Sequence, residues 1–349
     1  MIDLRSDTLT RPTPEMRHAM ATAEVGDDVI DIDPTIVKLE QKAAELTGKE
    51  AALFMPSGCM ANLVAVLCQS LPGSEILVGD QSHIHRAESG GYARVAQVNK
   101  WTLKNDRFGR FDPAEIQASI HVGIERGGNA HAMTTTMLCL ENTHNYCSGT
   151  VQTPEEMNKA VQAAREKAPW INVHLDGARL FNAAVYLKRP AKEFAAVANT
   201  VSFCVSKGLS SPAGSLLCGP KSLITIARGH RKMLGGGMRQ AGVLAACGLI
   251  SVSEPMIARL ADDHRNARTL AEGVAKLPGV TIDLETVQTN IVFFGYNGKK
   301  GDAAALAKEL NAKGVGCFAM GPKIRFVTHR EISAEDTERA LKIVQGVVG

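Results

Sequence analysis

Two short runs of strand character, each ending on a single charged residue, hold the side chains best placed to do chemistry. In Val201-Ser-Phe-Cys-Val-Ser-Lys207-Gly208 the apolar residues Val201, Phe203 and Val205 alternate, which predicts a strand with one buried face and a lysine at its end. Burial of that amine lowers its pKa, and a neutral amine can attack a carbonyl carbon to form a Schiff base. Taken alone, Lys207 is better explained as a strand-end charge reaching water. Upstream, Ile171-Asn-Val-His-Leu-Asp176-Gly177 is a second such run, and it ends on an acid followed three residues later by Arg179.

Other polar groups gather where the chain turns. Ala51-Ala-Leu-Phe-Met-Pro-Ser57-Gly58-Cys59 is an apolar run that turns into a helical pattern. Free N–H groups at such a helix start can take an anion, although a capped turn explains the same residues. The segment Gly79 to Gly91 carries Asp80, His83 and His85. In an extended loop the two histidines point to opposite sides, so an imidazole lining a pocket is favoured over a metal site. His131 precedes the strand Met133–Leu140, which leads into Glu141-Asn-Thr-His-Asn145. Arg325 stands between apolar Ile324 and Phe326, where it suits either a carboxylate ligand or a structural ion pair. The run Arg228 to Gln240, with three consecutive glycines and Arg239, reads as an anion-binding loop or as a solvated charge run.

The elements that must position these residues alternate between helix and strand, which predicts an α/β fold with a mainly parallel sheet covered by helices. Strand ends in such a sheet line a crevice. Thr13-Pro14, Asp33-Pro34 and Thr153-Pro154 have the form of N-cap plus first-turn proline. A single helix is expected over about residues 183–198. At 349 residues the chain is long enough for residues 1–250, with an N-terminal arm, to form a large domain and residues 251–349 a small α+β domain. A net charge of +3 and 45% hydrophobic residues describe an ordinary soluble globular protein, with no basic tract for nucleic acid and no membrane-length apolar run. Eight cysteines without a Cys-x-x-Cys pair suit reduced thiols in the cytoplasm.

A strand-end lysine, a strand-end aspartate, a Ser-Gly helix start and a histidine loop together meet the needs of pyridoxal 5'-phosphate: an amine to hold it, N–H groups for its phosphate, and an acid facing its ring nitrogen. No Gly-x-Gly-x-x-Gly turn follows the first strand, which disfavours a nucleotide-binding enzyme.

Over nearly its whole length the chain resembles the low-specificity L-threonine aldolases, which are fold-type-I pyridoxal-phosphate enzymes. The resemblance rests on Leu4-Arg-Ser-Asp-Thr8, Val25-Gly-Asp-Asp28, Asp33-Pro-Thr35, Pro56-Ser-Gly58, Glu141-Asn-Thr-His-Asn145, His174-Leu-Asp-Gly-Ala-Arg179, Ser206-Lys-Gly208, Lys232 to Gln240 and Val327-Thr-His329. It implies that Lys207 carries the cofactor, Asp176 faces the pyridine nitrogen, and Ser57, Gly58 and Cys59 take the phosphate with Arg239 from a neighbouring subunit. It further implies that His83 stacks on the ring, that Ser6, Arg179 and Arg325 hold the substrate carboxylate, and that His83 or His131 is the base. The implied reaction is cleavage of a β-hydroxy-α-amino acid to glycine and an aldehyde by a homodimer or homotetramer with sites at the interface. β-Elimination, transamination or a non-catalytic protein on the same fold are the alternatives. Three departures stand out: Cys59 replaces a threonine, while Ile30 and Ala87 stand where the family often has aromatic residues. The loss of two aromatic groups is expected to widen the pocket for phenylserine-type substrates.

Overall fold

The computed structural model describes residues 1–349. Its central sheet has seven strands: β2 (Ala51–Met55), β3 (Glu75–Gly79), β4 (Asn99–Leu103), β5 (Thr135–Glu141), β6 (Asn172–Asp176), β7 (Thr200–Cys204) and β8 (Ser215–Gly219), in the order β2-β8-β7-β6-β5-β3-β4. Only β8 runs against the others. Alternate residues feed two different cores. Leu77, Leu138 and Leu140 join the cluster on one face, and Ile76, Val78, Met137 and Cys139 join a cluster on the other. Helices therefore cover both faces, as a mostly parallel sheet requires.

This double cover corrects one expectation. β7 is buried on both faces, because Ser202 and Cys204 are enclosed as fully as Val201 and Phe203. The helix expected over residues 183–198 is instead two, Leu180–Leu187 and Ala191–Ala195, separated at Lys188, Arg189 and Pro190. Lys188 adopts a left-handed conformation as C-cap, and Pro190 cannot continue the preceding helix. The three proline-led helix starts form as expected, with Thr13, Asp33 and Thr153 each accepting from the first turn.

The C-terminal strands β9 (Val280–Thr281), β10 (Ile291–Gly298), β11 (Gly301–Asp302), β13 (Phe318–Met320) and β14 (Lys323–Val327) make a second, antiparallel sheet. Its core packs Phe294 edge-on against Phe326 and includes Ile2 and Leu4. The N-terminal arm starts in this layer, since β1 (Ile2–Asp3) pairs with β12 (Val315–Gly316). It then crosses to the central sheet, where the Thr10 hydroxyl donates to the Lys207 carbonyl at 2.7 Å. No single helix is long and apolar enough to cross a membrane.

Candidate active site

The C-terminal ends of β3, β5, β6 and β7 lie along one edge of the central sheet, and the helix Gly58–Gln69 starts beyond the end of β2 at the same edge. Register places Glu141 beside Asp176, and Asp176 beside Ser202. Asp176 is buried at 2% exposure. Its Oδ1 accepts from the Ala178 N–H at 3.1 Å and its Oδ2 from Asn62 Nδ2 at 2.9 Å.

Asn62 is the hub beneath the acid. Its Nδ2 also donates to Glu88 Oε1 at 2.8 Å, while its Oδ1 accepts from the Ser202 hydroxyl at 2.8 Å and from His174 Nε2 at 3.0 Å. Because that oxygen can only accept, His174 carries its proton on Nε2, and its Nδ1 accepts from Thr200 Oγ1 at 2.9 Å. Thr200 in turn accepts from Gln69 Nε2 at 2.8 Å. Burial pulls the His174 pKa down to about 4, outweighing the pull of Asp176, so the imidazole is neutral and the chain of donors has one direction.

His83 opens the short helix His83–Arg86 with its N–H donating to Glu141 Oε2 at 2.7 Å, and its Nδ1 lies 2.8 Å from Glu88 Oε1. Burial works to lower its pKa, but the hydrogen bond to Glu88 and the nearby carboxylates of Asp176, Glu88 and Glu141 raise it overall. Glu88 is itself raised, first by burial and further by Asp176, against the opposing bonds from His83 and Asn62.

Lys207 lies just past β7, half-buried, with Nζ 3.4 Å from Cys204 Sγ. Facing it is the start of the helix Gly58–Gln69. There Ser57 Oγ accepts the Met60 N–H at 3.3 Å, and the N–H groups of Gly58 and Cys59 have no preceding turn to bond. A Cβ at Gly58 would stand 2.9 Å from Cys204 Sγ, so glycine is needed for this close approach. The N–H cradle, the half-buried amine and the buried acid suit a phosphorylated pyridine aldehyde.

The other end of the site is built around Asp7, which is fully buried. Arg179 grips it with Nε at 2.7 Å and Nη2 at 2.8 Å, and Asn290 Nδ2 adds a bond at 3.1 Å. Burial opposes ionisation of Asp7, yet Arg179, with Lys207 and Arg325 beyond it, holds the carboxyl far below the usual range. Arg179 Nη1 and Arg325 Nη2 share one acceptor, Asn145 Oδ1, at 3.2 and 3.1 Å. Arg325 Nε is buried and has no partner. Burial and the like charge of Arg179 bring the Arg325 pKa down to about 10.

Of the residues expected in the site, Lys207, Asp176, Gly58, Cys59, Ser57 and His83 converge at the sheet edge. Arg179 gives its Nε and Nη2 to Asp7 and its Nη1 to Asn145, while Arg325 keeps one donor without a partner. Ser6 caps the turn Asp7–Leu9 and accepts from the Thr8 N–H at 3.2 Å. Arg239 stands apart, 67% exposed and paired with Asp27 at 2.9 Å. His131 is exposed and lies before β5, whose seven residues, about 20 Å of strand, separate it from Glu141. Ile30 is exposed on an outer turn with Ile32, whereas Ala87 is exposed beside Glu88.

Asn62, Glu88, His174 and Asp7 were not foreseen as parts of the site. Two had a signal: Asn62 lies one helical turn after Gly58, and His174 lies on the same strand face as Asp176.

Residues 3–296 match the beta-eliminating lyase family. The chain is 40% identical to low-specificity L-threonine aldolase 1 of Arabidopsis thaliana, over 99% of this chain and 95% of that one. It is also 40% identical to the low specificity L-threonine aldolase of Escherichia coli K12, over 96% of each. In fold it matches the threonine aldolase of Leishmania major with a TM-score of 0.84 at 18% identity, covering 100% of both chains. It matches the serine palmitoyltransferase of Sphingomonas wittichii at 0.77 and 16% identity, over 99% of this chain and 86% of that one. The chain therefore belongs to the low-specificity L-threonine aldolase family and has the α/β fold of type I pyridoxal-phosphate enzymes.

Proposed function

We propose that this chain is a carbon–carbon lyase that cleaves L-threonine, L-allo-threonine and related β-hydroxy-α-amino acids to glycine and an aldehyde, with pyridoxal 5'-phosphate as its cofactor. The observation that carries the reading is the gathering at one sheet edge of Asp176 at the end of β6, Lys207 just past the adjacent β7, and the free N–H pair of Gly58 and Cys59 at the helix start beyond β2. Bound there, the cofactor supplies a sink for the electrons released when the Cα–Cβ bond breaks.

The chain's own residues do the rest. Lys207 Nζ anchors the cofactor, and the Gly58 and Cys59 N–H groups with Ser57 take its phosphate. Asp176 is kept in place to face the ring nitrogen by Asn62 and the Ala178 N–H, and His83 covers the ring. Arg325, whose Nε lacks a partner, receives the substrate carboxylate, with Ser6 at its side. Arg179 contributes through Nη1 and holds Arg325 in place through the shared Asn145 oxygen. Fixing the carboxylate selects which Cα bond is aligned for cleavage. His83, with its raised pKa and its link to Glu88, is suited to take the proton of the β-hydroxyl.

Arg239 and His131, both exposed on the single chain, fit contributions to a second copy, so we read the protein as a homodimer or homotetramer with shared sites. The division into residues 1–250 and 251–349 belongs to the same reading, with the first residues of the arm packed on the second part. Eight free cysteines suit the reducing cytoplasm. Ala87 beside Glu88 leaves room for an aryl substituent, so phenylserine is expected to be cleaved with kcat/KM at least equal to that for threonine. Product analysis tests the reaction. Glycine and acetaldehyde in equal amounts from L-threonine are expected, while ammonia and a keto acid in place of glycine would replace this reading with elimination.

A further inference from the structure

One cluster at the sheet edge overlaps the residues given roles above but has, as a set, the composition of a metal site. Cys59 Sγ, an imidazole nitrogen of His83 and a carboxylate oxygen of Glu88 all lie within 4.8 Å of one another. A thiolate, an imidazole and a carboxylate are the three donor types that bind zinc, and three protein ligands leave its fourth position open. We propose that Cys59, His83 and Glu88 form a site for a thiophilic divalent cation, Zn2+ above all, in the cofactor-free chain, and that cation and cofactor exclude one another.

The donors come from two pieces of backbone, Cys59 from the helix start and His83 with Glu88 from the loop Gly79 to Gly91. Cys59 is in the first turn of the helix Gly58–Gln69, and its side chain is open to solvent. His83 is fixed by its N–H bond to Glu141. Glu88 is held by Asn62, whose own amide is oriented by Ser202 and His174. Outer hydrogen bonds of this kind orient ligands and raise affinity. The local charge also favours a cation. Glu88 and Asp176, bridged by the Asn62 amide, bring two carboxylates to this point. A divalent ion there relieves that excess of negative charge. On binding, the Cys59 S–H bond breaks, its electron pair goes to the metal, and its proton goes to solvent; no oxidation is involved.

Exclusion of the cofactor rests on the reading above, in which the Cys59 N–H takes the phosphate and His83 covers the ring. An ion held between these two side chains stands in that volume. Asp80, His83 and His85 lie close together in the sequence, whereas the cluster joins His83 and Glu88 to Cys59 of the helix start.

The test uses the full-length chain freed of cofactor. Co2+ titration is expected to give one ion per chain, with the visible bands of tetrahedral cobalt and a sulfur-to-cobalt charge-transfer band. Cys59→Ser should remove that band and weaken Zn2+ binding about 100-fold, while Glu88→Gln keeps the band and weakens binding about 10-fold, in the range of losing one ligand or its support. One equivalent of Zn2+ should slow uptake of pyridoxal phosphate, read from its visible absorbance, and a chelator should restore it. A charge-transfer band that survives in Cys59→Ser, or the lack of stoichiometric binding, overturns the site. Uptake that proceeds unchanged with the ion bound overturns the exclusion. A chain that takes no cofactor even without metal would contradict the aldolase reading, and the cobalt spectrum would still decide the site. Thermal melts of both variants confirm folding.

Discussion

The two ends of the pocket are built on opposite principles. At the Asp176 end every donor meets an acceptor, from Gln69 through Thr200, His174 and Asn62 to the acid itself. At the Asp7 end two buried guanidinium groups share one amide oxygen, and Arg325 Nε has no partner. A buried donor left unpaired is costly, so it persists where an anion completes it. The closed end is ready to hold a resident group in one orientation. The open end keeps its unbalanced charge for a transient ligand, an amino-acid carboxylate.

The two arginines break this comparison most sharply. Arg179→Ala leaves Asp7 charged, buried and without its two-pronged partner, so a stability loss of about 3–5 kcal/mol is expected in chemical denaturation. Arg325→Ala removes a group that lacks full pairing in the free protein, so its melting temperature should change little. Its cost should appear in KM for threonine, raised by about 10- to 100-fold for loss of a charge-assisted bond. Equal effects of the two variants on stability would erase the distinction.

At the closed end, Asn62→Ala deprives both Asp176 and Glu88 of a donor and leaves His174 and Ser202 without an acceptor. Cofactor affinity, measured by absorbance titration, should fall by about 1–3 kcal/mol. The smallest effect is one of pH. His174 has a folded pKa near 4, below its ordinary value of about 6.5, so the unfolded chain binds the extra proton first. The stability that neutral His174 contributes is therefore full above about 6.5 and declines as pH falls toward about 4. His174→Gln, which can still donate to Asn62, should flatten that part of the profile of melting temperature against pH.

The closed end was the more legible from sequence. Lys207, Asp176 and Ser57-Gly58 each end or follow an apolar run, and in a mainly parallel sheet the strand ends meet at one edge. The open end depends on Asp7 and Arg179, which are distant along the chain and meet because the N-terminal arm crosses between the two sheets. Nothing local in Leu4-Arg-Ser-Asp-Thr8 signals that crossing. The relay through Asn62 was hidden for another reason: an asparagine inside an apolar helix declares no partner, and its role appears only when β6 and β7 supply His174 and Ser202. The expected single helix over residues 183–198 leaves Pro190 out of account, and it is there that the helix breaks. His131 and Arg239 carry polar chemistry in the sequence, yet both are exposed on the single chain, and Arg239 is paired with Asp27.

The claim on which the rest depends is that Lys207 anchors the cofactor, and reductive trapping tests it directly. The protein is loaded with pyridoxal phosphate, reduced with borohydride, digested and sequenced by mass spectrometry. The phosphopyridoxyl group is expected on Lys207, and Lys207→Ala should lose both this label and the visible absorbance while staying folded. A label on another lysine, or a Lys207→Ala protein that still forms glycine at the original rate, would contradict the account.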